Sequence, residues 1–402
     1  MKPTFSRSIL STLALVSAFP LLAQPKMSGL LQVWQTQMLD NNLRWNSGFG
    51  KKYYNLRSEF TENTTSLRRA EFKMTGTIAP DVDWELMIDP AIASGSIVQD
   101  LTLSYKNIFS TGIELRAGQM KNYQSLEGLT SSSELMTIER SQLARVFGDT
   151  RDRGFALIKT FSVDDTDLTG RMVIGSFNAA GKSTDANAQK DFVYRLELNQ
   201  GKFNKFGFYG LQGATDIKDT FTATTTPLAF GTSGPTAAAI YDNLDTTRNM
   251  GAFYQFMNSE YRFELEYMTG TLGRRFQAYG LASSAVKRDY LDQKFTGMVA
   301  SLAYTIDGGH TFVARYDSLN YNEGNKYYGT THPYLPSTGG DFSPKYQEMT
   351  VGYMYAFLPE ASKKANLKIN YIKRSDNFLA PRTGQTGAQG GDSIVVALQV
   401  AF

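Results

Sequence analysis

Acids and bases crowd one stretch of this chain. From Glu114 to Arg153 the cations are Arg116, Lys121, Arg140, Arg145, Arg151 and Arg153, and the anions are Glu114, Glu127, Glu134, Glu139, Asp149 and Asp152. The two sets are equal in number. Opposed acidic and basic side chains across a narrow water-filled passage set a transverse field and select solutes by charge and width. The arrangement expected here has the acids Glu127, Glu134 and Glu139 facing bases that include Arg69 and Arg116. The competing arrangement is structural, with Glu139–Arg140 and Asp152–Arg153 paired to anchor the stretch.

Other chemistries find little support. The chain has no cysteine, which removes disulfides, thiol catalysis and Cys-based metal sites. Its two histidines, His310 and His332, are isolated, so neither a His-rich metal site nor a His-centred triad is expected. No Gly-x-Ser-x-Gly, Gly-Lys-Ser/Thr phosphate loop or His-Glu-x-x-His is present. No catalytic residue, cofactor or metal is therefore expected. Asp164-Asp165-Thr166-Asp167 reads as a polar turn.

The elements that must position the charged stretch are strands. Tyr261, Phe263, Leu265 and Tyr267 alternate with Arg262, Glu264 and Glu266, and Phe192, Tyr194, Leu196 and Leu198 alternate with Arg195, Glu197 and Asn199. Successive strand side chains point to opposite faces, so each segment has one apolar and one charged face. Charge at mid-strand opposite a heavy apolar face fits lipid outside and water inside. Short turns, such as Ala79-Pro80-Asp81, Gln200-Gly201-Lys202 and Asp307-Gly308-Gly309, alternate with longer connections. About sixteen strands can be counted, in the even-numbered pattern of bacterial membrane barrels. The expected fold is all-β, a transmembrane antiparallel barrel. Residues 121–152 lack alternation but carry Leu126, Leu129, Leu135, Met136, Ile138, Leu143, Val146 and Phe147, too apolar for a free tail. They are expected to form a constriction loop folded inside the barrel.

The ends of the chain agree with export to an envelope. Lys2 and Arg7 precede an apolar run from Ile9 to Ala23, the form of a signal peptide over residues 1–23, with cleavage after Ala18 or Ala23. Removing those two cations from 41 leaves 39 against 38 acids, a nearly neutral mature chain with no nucleic-acid surface. At the other end Ile394, Val396, Leu398, Val400 and Phe402 alternate with Ser393, Val395, Ala397, Gln399 and Ala401. A terminal aromatic on an amphipathic strand is similar to the assembly signal of outer-membrane barrels.

Gly118-Gln119-Met120-Lys121, Leu126-Glu127-Gly128-Leu129-Thr130-Ser131-Ser132 and Ile138-Glu139-Arg140-Ser141 resemble the phosphate-selective porin O and P family. Leu67-Arg68-Arg69-Ala70, Trp84-Glu85-Leu86 and Asp152-Arg153-Gly154 extend the resemblance over roughly residues 66–160. It implies a sixteen-stranded barrel, usually trimeric, with a loop folded into the pore. Family members named for phosphate line the pore with an arginine ladder and a lysine cluster; no such ladder can be placed here residue by residue.

The expected function is passive diffusion of small hydrophilic or ionic solutes, phosphate or other anions among them, across the outer membrane of a Gram-negative bacterium. The candidate pore-lining residues are Arg69, Lys73, Arg116, Lys121, Glu127, Glu134, Glu139, Arg140, Arg145, Arg151 and Arg153. Glu85, Lys106, Glu114, Arg195, Arg262, Glu264, Arg315 and Lys368 are expected to face the lumen, because a charge on the lipid face costs about 2–4 kcal/mol near the midplane. Expected partners are the solutes, outer-membrane lipid, two further copies in a homotrimer and, through Phe402, the barrel assembly machinery. The alternative is an anchor or adhesin presenting the loops near Thr222–Asn243 and Tyr321–Lys345; a barrel enzyme fits less well.

Overall fold

The computed structural model describes residues 24–39, 63–92, 95–185, 189–215, 245–277, 290–306, 308–320, 323, 345–376 and 392–402. Residues 1–23, the segments 222–243, 321–322 and 324–344, and with the last His332, lie outside the described residues.

The strands are β1 (Lys26–Met38), β2 (Asn63–Ala79), β3 (Val82–Ile88), β4 (Val98–Ile108), β5 (Ile113–Lys121), β6 (Arg151–Ser162), β7 (Leu168–Phe177) and β8 (Asp191–Gln200). They continue as β9 (Asn204–Thr215), β10 (Asp245–Met257), β11 (Tyr261–Gln277), β12 (Tyr290–Ile306), β13 (His310–Asn320), β14 (Lys345–Ala356), β15 (Ala365–Asp376) and β16 (Ser393–Ala401). Each pairs antiparallel with its sequence neighbours, and β1 pairs with β16 to close the barrel. Closure leaves no free sheet edge, which a membrane interior would not tolerate. At the seam Phe402 and Gly29 exchange backbone hydrogen bonds. A Cβ at Gly29 would meet the Phe402 ring at 2.4 Å, so this position has room for the terminal aromatic only as glycine.

Alternation sorts the faces as expected. Leu101, Leu103 and Tyr105 are exposed on the outside of β4, while Thr102 and Ser104 are buried on the inside. On β12 Met298, Leu302, Tyr304 and Ile306 are exposed, and Val299, Ser301 and Ala303 are buried. The outside thus carries the apolar surface that lipid covers.

The inner face has a second use. The insert between β5 and β6 lies within the barrel, and its apolar residues pack on inward-facing wall residues in three clusters. Leu126, Leu143, Val146 and Phe147 meet Tyr209, Phe253, Met268, Phe295, Val299 and Leu319. Tyr123 and Leu129 meet Ala156, Ile158, Val173, Phe177, Val193 and Leu211. Ile138 meets Trp34, Ile372, Val395 and Ala397. Each buried aliphatic side chain contributes roughly 1.5–3 kcal/mol, so the insert is held as a packed element. Close approach needs a gap in the wall at Gly297 of β12, where a Cβ would stand 2.3 Å from Leu143 Cδ1.

Candidate functional site

The insert starts with a helical turn, α1 (Leu126–Leu129), capped at Ser125. Ser125 Oγ accepts from the Gly128 N–H at 3.1 Å, which satisfies one of the amides a helix start leaves open. Glu266 of β11 serves two more groups: its carboxylate accepts from the Leu126 N–H at 2.9 Å and from Ser125 Oγ at 3.0 Å. Tyr123 and Ser125 adopt left-handed backbone angles, φ 60° and 65°. Arg195 of β8 holds this bend by donating to the carbonyls of Tyr123 at 3.3 Å and Ser125 at 3.0 Å, its guanidinium 4.7 Å from the Phe253 ring.

Further along, barrel cations reach insert carbonyls. Arg262 donates to Glu134 O at 2.7 Å and Lys368 to Leu135 O at 2.6 Å. Arg315 of β13 is almost wholly buried. It donates to Thr137 Oγ1 and Glu139 O, both at 2.7 Å, and pairs with Glu127 at 3.3 Å and Glu348 at 2.7 Å. Of the three expected loop acids, Glu127 therefore faces a wall base, but that base is Arg315; it also accepts from the Ser141 N–H at 2.6 Å. Glu134 is more exposed and pairs with Lys363, on the connection before β15, at 2.7 Å.

Glu139 is clamped by two arginines. Arg69 reaches it at 3.0 Å, and Arg68 both donates to it and pairs with it. Plain alternation would put adjacent residues on opposite faces. A bulge removes that conflict: Gln32 pairs with Arg69 and Val33 with Leu67, leaving Arg68 unopposed in the register, so both guanidinia turn to one carboxylate. Burial alone would raise the Glu139 carboxyl, yet Arg68 and Arg69 outweigh it and hold the group well below the usual carboxylate range. Arg68 also lies 5.0 Å from the Trp34 ring. Sequence reasoning missed Arg68 as a site residue; the Arg-Arg pair was the available signal, but the bulge was not visible.

Arg140 does not line open water. It is 1% exposed and donates within the insert, to Thr130 O at 2.6 Å and Glu127 O at 3.1 Å, and pairs with Asp149 at 3.3 Å. Glu127, 7% exposed, is likewise enclosed. Asp149 also pairs with Lys121 at 2.8 Å and lies 3.8 Å from Arg151. Burial would raise this carboxyl, but Arg140, Lys121 and Arg151 drive it down. Arg145 donates to Gln142 Oε1 at 2.8 Å. Lys121 is the last residue of β5, and Arg151 and Asp152 begin β6, so the strands take these three residues from the expected insert.

Two expected anchoring pairs are replaced. Arg140 takes Asp149 in place of Glu139, and Asp152 accepts from the Arg153 backbone N–H at 2.7 Å rather than from its guanidinium. Arg153 corrects a further expectation. It shares the outer face of β6 with the exposed Phe155 and Leu157, and it donates to the carbonyls of Lys182 at 2.7 Å and Ser183 at 3.3 Å, so it is no lumen residue. The rim carbonyls satisfy a charge that the apolar belt would not.

Solvent-accessible charge on the inner face runs along β2 to β8. Lys73 pairs with Glu85 at 2.8 Å, Lys106 with Asp83 at 2.5 Å, Arg116 with Glu114 at 2.8 Å and Arg171 approaches Glu197 at 3.7 Å. Arg116 thus answers a carboxylate of its own strand and not a loop acid. Arg171 also lies 5.6 Å from the Tyr123 ring, directly beneath the insert's first residues. In these four pairs every cation has a carboxylate beside it.

The profile of the family described as phosphate-selective porin O and P matches residues 42–402. A search of curated protein sequences gave no match. Among solved structures, the chain is similar to the outer membrane channel DcaP of Acinetobacter baumannii, with TM-score 0.58, 10% identity and coverage of 94% of this chain and 97% of that one. It is also similar to in-vitro folded OmpT of Vibrio cholerae in its trimer form (TM-score 0.54, 10% identity, 94% and 99% coverage). A third likeness is to an anion-selective porin from Comamonas acidovorans (TM-score 0.51, 10% identity, 94% and 99% coverage). At these identities the likeness is one of fold.

Proposed function

The chain belongs to the phosphate-selective porin O and P family, and on that premise we propose that it passes small hydrophilic and ionic solutes along the β2–β8 wall, phosphate and other small anions among them. It is an outer-membrane porin, a passive channel in the envelope of a Gram-negative bacterium. The observation that carries the proposed path is the accessible row of paired charges on the inner face, Lys73–Glu85, Lys106–Asp83, Arg116–Glu114 and Arg171–Glu197. A row of ion pairs keeps a passage polar and wet while leaving little net field, so selectivity for charge sign is modest. Glu139 with Arg68 and Arg69 sets the insert's position against β2.

Three further assignments accompany this reading. Residues 1–23 are the export signal. The channel is a homotrimer, as the Vibrio cholerae protein is in its trimer form. Phe402, with its ring exposed beside Phe72 at a centroid distance of 6.2 Å, is the element the assembly machinery reads. Family and fold are those of a channel rather than an enzyme.

The test is reconstitution of refolded protein in a planar bilayer, with the reversal potential measured across a salt gradient with and without phosphate. A modest anion preference with current reduced by millimolar phosphate supports the full reading. Modest selectivity without reduction keeps the path and removes phosphate from its preferred solutes. Folded protein without conductance overturns the channel reading.

A further inference from the structure

On the outside of the barrel, β9 to β12 share one polar row. Gln212 pairs with Arg248, Arg248 with Thr271, and Thr271 with Lys294, so the four stand side by side in register. They lie on the lipid side. Arg248 follows the alternation of the exposed Met250, Thr271, itself buried between its neighbours, that of Leu265 and Tyr267, and Lys294 that of Met298 and Leu302. Arg248 and Lys294 are exposed, and among the described residues neither side chain has an ion pair or hydrogen bond. Two other outward cations, Arg153 and Lys159, reach backbone carbonyls instead, of Lys182 and Thr111, while Lys373 of β15 stands alone on its strand without a second cation in register.

The height of the row is informative. Tyr261 and Tyr304 stack at 4.9 Å near the tight-turn end, where an aromatic girdle marks one membrane interface. From Tyr304 to Lys294 the strand advances about 34 Å at ~3.4 Å per residue. With a strand tilt of 35–45°, that is about 25 Å along the membrane normal, the height of the apolar band. Lys294 and Arg248 therefore stand at headgroup level on the side of the long connections. They are two strands apart, about 10 Å at 4.8 Å per strand. Among the described residues neither cation is paired with a carboxylate, the nearby Glu323 being bonded to Thr296 and Asn320; with Gln212 and Thr271 beside and between them the two cations complement an anionic group, and arginine binds phosphate oxygens in forked geometry.

We propose that Arg248 and Lys294 dock a phosphate-bearing lipid headgroup of the outer leaflet against β9–β12. The site is on the outer wall and does not depend on which solute crosses the lumen.

The test uses the full barrel in phosphatidylcholine nanodiscs doped with lipid A or with the same glycolipid stripped of both phosphates, and native mass spectrometry reads the lipid retained. The wild type is expected to retain the phosphorylated form and to release the stripped form. Arg248→Gln and Lys294→Gln should each weaken retention about fivefold, and the double substitution about thirtyfold, given the attraction of a single cation near an anionic lipid surface. Lys202→Gln, in the tight turn after β8, should change nothing. The reversal potential of the double variant should equal that of the wild type. Equal retention of the two lipids, or unchanged retention in the double variant, overturns the proposal. So does a double variant that loses its oligomer instead of its lipid, which would make the row a contact between copies. The two single variants keep the test decisive if the double variant does not refold.

Discussion

Replacing Arg315 by Met should loosen the insert on β13, to which the Gln142 N–H and Leu319 still tie it. The guanidinium supports four acceptors: Glu127, Glu348, Thr137 Oγ1 and Glu139 O. Removing one partner of a buried ion pair costs about 3–5 kcal/mol, since the other charge is stranded. Two details set the expectation at the low end. Glu348 keeps Arg374, whose Nε lies 3.2 Å away, and Glu127 keeps the Ser141 N–H. A loss of about 3 kcal/mol, felt locally, corresponds to roughly 150-fold faster native-state amide exchange. The assay is hydrogen exchange of the refolded barrel, read over residues 126–144 against the strands as internal reference, with single-channel recording alongside. Exchange in the insert should accelerate while that in β4 and β12 does not, and open-channel noise should rise. Adding Glu127→Gln should restore part of the protection, because the stranded charge is then gone. Insert exchange within twofold of wild type in Arg315→Met would refute the view that this arginine latches the insert.

The remaining expectations concern acid, charge and space. Glu139 and Asp149 are carboxylates lowered in the folded state, so their contribution is fully present above their unfolded values near pH 4 and is lost as pH falls through the lowered ones. The protection of the insert amides, corrected for the intrinsic pH dependence of exchange, should therefore be flat from neutral to about pH 4 and fall only below it; a fall already at pH 6 would contradict the assignment. Arg116→Ala leaves Glu114 uncompensated on the accessible wall, so the reversal potential should move toward cation preference, and an unmoved potential would take the current path away from β5. Gly297→Val drives a side chain into the place of Leu143, with an expected cost of about 1–3 kcal/mol in urea unfolding and an altered conductance; a variant as stable as wild type with the same conductance would show that the wall does not gauge the insert there.

Most of the barrel was legible in the sequence. Alternation is a local property, fixed by the geometry of an extended backbone, so the strands and their lipid-facing sides could be read from single segments such as Leu168–Phe177, whose bounds the structure reproduces. The insert's apolar content likewise demanded a surface to pack on. The partners could not be read. Glu139 meets Arg68 and Arg69 only because a bulge in β2 breaks the alternation, and Glu127 meets Arg315 across 188 positions of chain. Arg140 looked like a pore charge by composition, and enclosure by the insert's own carbonyls made it structural. Arg153 kept its alternation but fell on the outer face at the rim. The sequence by itself determined that this chain makes a lipid-facing barrel with a folded insert, because period-2 patterning needs no knowledge of distant residues. Which charges are latched, which stay in water and which face the lipid headgroups was decided by closure of the sheet, since pairing depends on register and on what crosses the lumen.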